Sequence, residues 1–320
     1  MASRSGIDLS DRRFGLSARG TYDSRKVVFY VFSGESPQPE LVIKATRTAV
    51  HNGRLENEER ALRHMAQGGL VEPGTTPAVV FSGEHGGLRF LAETAVEGAS
   101  LTGEAHRTGA TAVYDWLIHL SATSARRDEG ARSVIASGVS DIESAIGRIY
   151  PLETADRDRL RSSTQRLVEG AGRLPLVFMH GDAATWNVRL RPDGRPAFMD
   201  WEAAVADGMP LWDLFYFARS HILWGARVRR YARRPSSMIG RLLADEPLRT
   251  AVDRYSRQLE IPADLVGPLF SLCWAHRAVR EVTRIEPKRL RHSHYLGLLR
   301  ESLHPRVNAH WARAARTEAL

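Results

Sequence analysis

The period of the apolar pattern changes once along this chain, and that change constrains the fold more than any other feature. Before residue 98 the apolar runs are short and turn-bounded. Arg25–Phe32 (RKVVFYVF), Leu41–Ala45 (LVIKA), Ala78–Gly83 and Leu88–Glu93 each read as strands. Ser33–Glu40 (SGESPQPE) is a turn, and Glu84–Gly87 (EHGG) closes a hairpin. The segment Ser17–Ser24 (SARGTYDS) is small, polar and turn-prone. One helix is predicted here, Asn52–Gln67, with Leu55, Leu62 and Met65 at helical spacing. After Gly98 the period becomes helical. Thr111–Arg127 carries a stripe of Val113, Leu117 and Leu120, and Asp141–Tyr150 and Ala155–Glu169 follow. A short strand, Leu176–Met179, and a hairpin strand, Ala197–Met199, interrupt the series. From Leu211 onward nearly everything reads as helix. The expected fold class is therefore α+β. A small β-rich lobe (residues 1–96) precedes a larger, mainly helical lobe (residues 97–320).

Composition excludes several classes. No run of about 18 apolar residues exists, so no membrane helix is expected. The polar start MASRSGIDLSDRR has no apolar stretch of a secretory signal, and the single Cys273 cannot form an internal disulfide. A reducing, cytoplasmic location is the expectation. The formal net charge is +8, with 45 Lys and Arg. Only Lys26, Lys44 and Lys288 are lysines. Where lysine stands in so arginine-rich a chain, a compact point charge is wanted. From Arg219 to the end, 19 Arg and one Lys face nine acids, a net of +11. These arginines are scattered through helical pattern and form no block. They read as solvated helix faces, and nucleic acid is not an expected partner.

The segment that carries chemistry is Leu176–Phe217. It contains His180-Gly181-Asp182, then Asn187 five residues after the aspartate, then Asp200 after a strand. A turn at Pro192-Asp193-Gly194 folds Asn187 and Asp200 towards each other. Three oxygen-bearing side chains thus gather at one end of a hairpin. Such hard oxygens suit Mg²⁺ held on substrate phosphates, and a carboxylate not holding metal can accept a proton.

This is the logic of the protein-kinase catalytic loop, with HGD in place of HRD and DWE in place of DFG. The combination, with Trp212-Asp213-Leu214 beyond it, resembles the aminoglycoside phosphotransferase and choline-kinase-like family. The resemblance implies a protein-kinase-like fold. It implies that Asp182 is the catalytic base and that Asn187 and Asp200 hold metal. It also implies a nucleotide-binding lysine in a strand of the first lobe, and Lys44 in Val42-Ile43-Lys44 stands there. A helical glutamate should hold that lysine. Glu58 has the family's spacing to Leu62 and Met65, and Glu59 is one position out of phase. A hinge in Phe90–Leu101 would hold the nucleobase through backbone groups, involving Glu93 and Ala95. The phosphate-covering loop would be Ala18–Ser24, whose single glycine is Gly20.

The implied activity is transfer of the ATP γ-phosphoryl group, with Mg²⁺, to the hydroxyl of a small molecule. The basic C-terminal third leans away from a polycationic acceptor and towards a sugar-like or other neutral or anionic metabolite. Aminoglycoside O-phosphorylation is the alternative, and a non-catalytic nucleotide- or partner-binding module is the competing class. His180 is expected to brace the loop by hydrogen bonds, Asp213 to cap a helix or brace the loop, and Trp201 and Trp212 to pack. Glu202 and Asp207 are open between substrate-facing and structural roles, and Cys273 reads as a small buried hydrophobe. The oligomeric state is left open.

Overall fold

The computed structural model describes residues 11–17, 25–101, 109–225, 234–282, 290 and 293–314. The chain forms two compact units. One comprises Met1–Leu101, His180–Asp182 and Trp186–Val205; the other takes Thr102–Met179, Ala183–Thr185 and Ala206–Leu320. The fold is α+β, as the change of period requires, and protein-kinase-like, as the resemblance implies.

The first unit is built on an antiparallel sheet of five strands: β1 (Arg12–Ser17), β2 (Lys26–Ser33), β3 (Leu41–Thr46), β4 (Val79–His85) and β5 (Leu88–Thr94). Their spatial order is β1-β2-β3-β5-β4. β1 (RRFGLS) has no counterpart in the sequence reading. It is an edge strand whose Phe14 and Leu16 are 55% and 64% exposed, so no buried face imposes alternation on it. The β4–β5 hairpin pairs His85 with Leu88 and turns on Gly86 and Gly87, at φ 57° and 75°. Both turn residues need positive φ, so the loop shrinks to two glycines and the strands run further than the sequence pattern shows.

A helix, α1 (Asn52–Gly68), packs on this sheet through Leu55, Ala61, Leu62 and Met65. It ends at Gly69, whose left-handed backbone returns its N–H to the Met65 carbonyl. The same buried stripe contains Glu58. A second, three-stranded sheet joins β6 (Ala99–Ser100), β8 (Val188–Leu190) and β9 (Pro196–Phe198), in the order β6-β8-β9. β8 and β9 are a hairpin, pairing Val188 with Phe198 and Leu190 with Pro196.

The second unit is helical: α2 (Ala110–Ser124), α3 (Glu129–Ile149), α4 (Thr154–Glu169), α5 (Trp212–Gly225), α6 (Pro235–Ala244), α7 (Glu246–Gln258), α8 (Ala263–Glu281), α9 (His294–Ser302) and α10 (Pro305–Ala314). The short buried strand β7 (Val177–Met179) precedes the loop at His180. α8 is buried along most of its length and packs against α3, α4, α9 and α10. Phe270 on α8, Phe215 on α5 and Trp311 on α10 form its aromatic centre, with ring centroids 4.9–5.6 Å apart. α3 begins well before the expected Asp141. Asp128 caps it by accepting the Ala131 N–H at 2.7 Å. Small and polar residues between Ala131, Ile135 and Val139 had diluted its helical signal. Cys273 is buried, as its apolar neighbours imply. Among the described residues no helix is long and apolar enough to cross a membrane.

Candidate active site

Lys44 lies on β3 with its side chain only 6% exposed. Its ammonium meets the Glu58 carboxylate at 2.5 Å and the Glu93 carboxylate at 2.6 Å. Burial acts to deprotonate Lys44, but the charges of Glu58 and Glu93, with Asp200 beyond them, outweigh it and raise the pKa. Glu93 feels the opposite balance. Burial and the nearby Glu58 charge push it up to about 7, against the pull of Lys44. Glu58 does more than hold Lys44: its Oε1 also accepts the backbone N–H of Trp201 at 2.9 Å. The buried helix face is thereby tied to the residue next to Asp200. Glu59, one position on, faces elsewhere, bonded to Ser82, Arg89 and Arg63.

The segment after β9 is clasped by α1. Asn57 donates its amide to the carbonyls of Glu202 (3.2 Å) and Ala204 (2.9 Å), and Arg54 pairs with the Glu202 carboxylate at 2.8 Å. Asp200 itself adopts a left-handed backbone, φ 66° and ψ 63°, a region that Asp and Asn enter at less cost than other side chains. Its side chain is 35% exposed and bonds to Lys26, which also reaches Glu202 at 3.0 Å. Burial works to raise the Asp200 pKa, but the ammonium groups of Lys26 and Lys44 prevail and hold it at about 2. Asp200 is therefore ionised throughout the physiological range.

The loop that presents Asp182 is fixed by His180, which is fully buried. The Asp182 N–H donates to His180 Nδ1 at 3.2 Å, so the other ring nitrogen carries the proton and donates to the Met199 carbonyl at 2.9 Å. The imidazole ring lies 4.4 Å from the Trp201 ring, centroid to centroid. His180 thus links the loop at Asp182 to the strand end before Asp200. Gly181 between them is at φ 74°, and a Cβ there would stand 2.1 Å from the Ala203 carbonyl oxygen. Only glycine fits both the backbone angle and this approach. Asn187 is buried and donates its amide to the Asp182 carbonyl (2.9 Å) and carboxylate (3.2 Å). With its nitrogen so engaged, its amide oxygen is the atom left to face a cation.

Whether this donor set fits Mg²⁺ follows from its chemistry. Among the described residues no three His, Cys, Asp or Glu side chains are grouped to hold a metal alone. One ionised, partly open carboxylate and one amide oxygen make an incomplete hard-oxygen set. Mg²⁺ takes such a set when substrate phosphates and water supply the remaining ligands. The residues fit a metal that arrives with a nucleotide.

The structure thus brings Lys44, Glu58, Glu93, Asp182, Asn187 and Asp200 into one compact unit. Gly20 lies outside the described residues. The Ala95 N–H donates to the Glu40 carbonyl at 2.9 Å, so a nucleobase at this residue would be read by the carbonyl. Three contributions were not anticipated: the Glu93 side chain on Lys44, Lys26 on Asp200, and Glu202 as the partner of Lys26 and Arg54. The scarcity of lysine was the signal for Lys26. Asp207 pairs with Arg126 on the surface, and Asp213 is buried in the first turn of α5. Trp201 and Trp212 are both buried, in keeping with packing roles.

The model of the APH family, described as a phosphotransferase enzyme family, matches residues 23–246. The chain belongs to this family. It is accordingly a phosphotransferase. No curated protein sequence matches it. Among solved structures it is similar to the choline kinase LicA of Streptococcus pneumoniae (14% identity, 92% of this chain and 94% of that one, TM-score 0.53). LicA in complex with AMP is likewise similar (14% identity, 98% and 96%, TM-score 0.52). An aminoglycoside phosphotransferase from Alicyclobacillus acidocaldarius subsp. acidocaldarius is similar at 13% identity (98% and 94%, TM-score 0.50). At these identities the structures speak for the fold alone.

Proposed function

We propose that the protein transfers the γ-phosphoryl group of ATP to a hydroxyl of a neutral or anionic small metabolite. The observation that carries this reading is the bridge through Glu58, whose Oε1 takes the Lys44 ammonium at 2.5 Å and the Trp201 N–H at 2.9 Å. A lysine and a carboxylate 156 residues apart in sequence are thereby held in one compact unit that also presents Asn187 and Asp182. Asp182 orients the acceptor hydroxyl and takes its proton. Asn187 and Asp200 would hold Mg²⁺, which neutralises phosphate charge when bound with the nucleotide. Lys44, held by Glu58 and Glu93, sits ready to bind phosphate oxygens. The rate then comes from positioning and charge stabilisation. The nucleobase falls to the backbone around Glu93 and Ala95, and covering the phosphates to the loop containing Gly20.

The acceptor class rests on the net charge of +11 from Arg219 onward, which disfavours a polycation. The test is a phosphate-transfer screen with Mg²⁺-ATP over sugars, sugar phosphates, amino alcohols and aminoglycosides. Transfer to uncharged or anionic hydroxyl compounds is expected, and a clear preference for aminoglycosides would overturn the acceptor assignment. Asp182→Asn should abolish transfer while preserving nucleotide binding. Asp200→Ala should abolish Mg²⁺-dependent nucleotide binding by calorimetry. Undiminished transfer in the first, or undiminished binding in the second, contradicts the assigned roles.

A further inference from the structure

We propose that Lys26 is a second phosphate-binding residue of the nucleotide site, with Glu202 and Arg54 as its positioning residues. This rests on the reading of the site as a nucleotide site and adds to it a residue beyond Lys44.

The strand register supplies the first argument. Val28 on β2 pairs with Lys44 on β3, so their side chains share one face of the sheet. Lys26 lies two residues before Val28 and shares that face. Two ammonium groups therefore project from adjacent strands on the same side. The composition makes this placement informative. Only three of 45 cationic residues are lysines, and two of those three stand here. A guanidinium is a broad planar fork, whereas an ammonium is a compact charge with rotatable donors that can follow a moving phosphoryl group.

The contacts supply the second argument. Lys44 is held from behind by Glu58 and Glu93. Lys26 has its own holder: Glu202 Oε2 takes the ammonium at 3.0 Å, and Arg54 fixes the other oxygen, Oε1, at 2.8 Å. Lys26 also bonds to Asp200. The Lys26 side chain remains 20% exposed, unlike the deeply buried Lys44. When Mg²⁺ and a nucleotide engage Asp200, the ammonium keeps Glu202 and exchanges its bond to Asp200 for a phosphate oxygen.

A competing account makes Lys26 a cation that merely fills the Asp200 site until Mg²⁺ displaces it. The two accounts differ in sign. Binding of Mg²⁺-ATP, Mg²⁺-ADP, AMP and adenosine is to be measured by calorimetry for the full chain, for Lys26→Met and for Lys26→Arg. A phosphate-binding Lys26 predicts that Lys26→Met weakens Mg²⁺-ATP binding roughly 10- to 100-fold. Adenosine binding should be unchanged, and Lys26→Arg should recover part of the loss. Glu202→Gln should weaken Mg²⁺-ATP binding in the same direction by a smaller factor, and it carries the test if Lys26→Met fails to fold. Unchanged or tighter Mg²⁺-ATP binding in these variants overturns the proposal and leaves the wider site reading intact. Equal loss for adenosine and ATP overturns it too, since the effect would not follow the phosphates. Absence of Mg²⁺-ATP binding in the unmodified protein would instead remove the nucleotide-site reading itself.

Discussion

Replacing Lys44 by methionine tests the electrostatics of the buried cluster without reference to catalysis. Lys44 is the shared cation of two carboxylates that are 0% and 3% exposed. Removing it leaves two like charges facing each other in a site with little water. Taking one partner from a buried pair costs about 3–5 kcal/mol. The cost should depend on pH, and its sign follows from Glu93. That carboxyl is raised from its ordinary 4.5 to about 7 in the folded protein. The folded state therefore holds an extra proton between those values, and stability falls as pH rises through that window. Lys44 is a charge that pulls Glu93 down, so its loss drives the folded pKa higher still. Each further unit costs about 1.4 kcal/mol, present only above the original value. At pH 5 Glu93 is protonated in both folded proteins and the substitution costs least; the penalty grows above pH 7 and is complete only above the raised folded pKa. Urea denaturation followed by tryptophan fluorescence from pH 5 to 8.5 measures the difference. Adding Glu93→Gln to Lys44→Met should remove the Glu93 share of the pH dependence and so reduce it. A penalty equal at both ends of the range, or larger at pH 5, would refute the reasoning.

Two further outcomes are expected. Gly181→Ala combines a left-handed backbone, worth about 1–2 kcal/mol, with a Cβ placed 2.1 Å from the Ala203 carbonyl oxygen. It should lower the melting temperature and reduce phosphoryl transfer together, and an unchanged melting curve would show that the approach is not tight. Burial pushes the Cys273 thiol up to about 12. It should resist a disulfide reagent at pH 8 in the native protein and react on addition of denaturant, whereas fast native labelling would contradict its burial.

What could be read from the sequence divides along a physical line. Asp182, Asn187 and Asp200 stand at fixed short spacings around one hairpin, so local geometry alone gathers them. Lys44 and Glu58 were accessible because the family resemblance asks for a strand lysine and a helical glutamate, and the helical phase separates Glu58 from Glu59. Glu93 was read for its backbone, since its strand alternation does not reveal that Lys44 stands across the sheet. Lys26 and Glu202 meet over 176 residues, and no period in either segment marks that encounter. β1 was missed for the reverse reason. It is half in solvent, and its sequence carries little of the alternation that a buried face imposes. In α3 the helix continues through Gly, Ala and Ser because Asp128 starts it and packing sustains it, and neither cause appears in apolar spacing.

The left-handed backbone at Asp200 limits how this position can change over time. Besides aspartate, asparagine and glycine suit that conformation best, and each is a single base change away from an aspartate codon. Neither carries a negative charge. On the metal-holding role proposed for Asp200, a descendant of this gene can therefore lose phosphoryl transfer at this position while its product still folds, leaving a binding protein on the same scaffold. Most other replacements there would lose the fold's local geometry along with the chemistry.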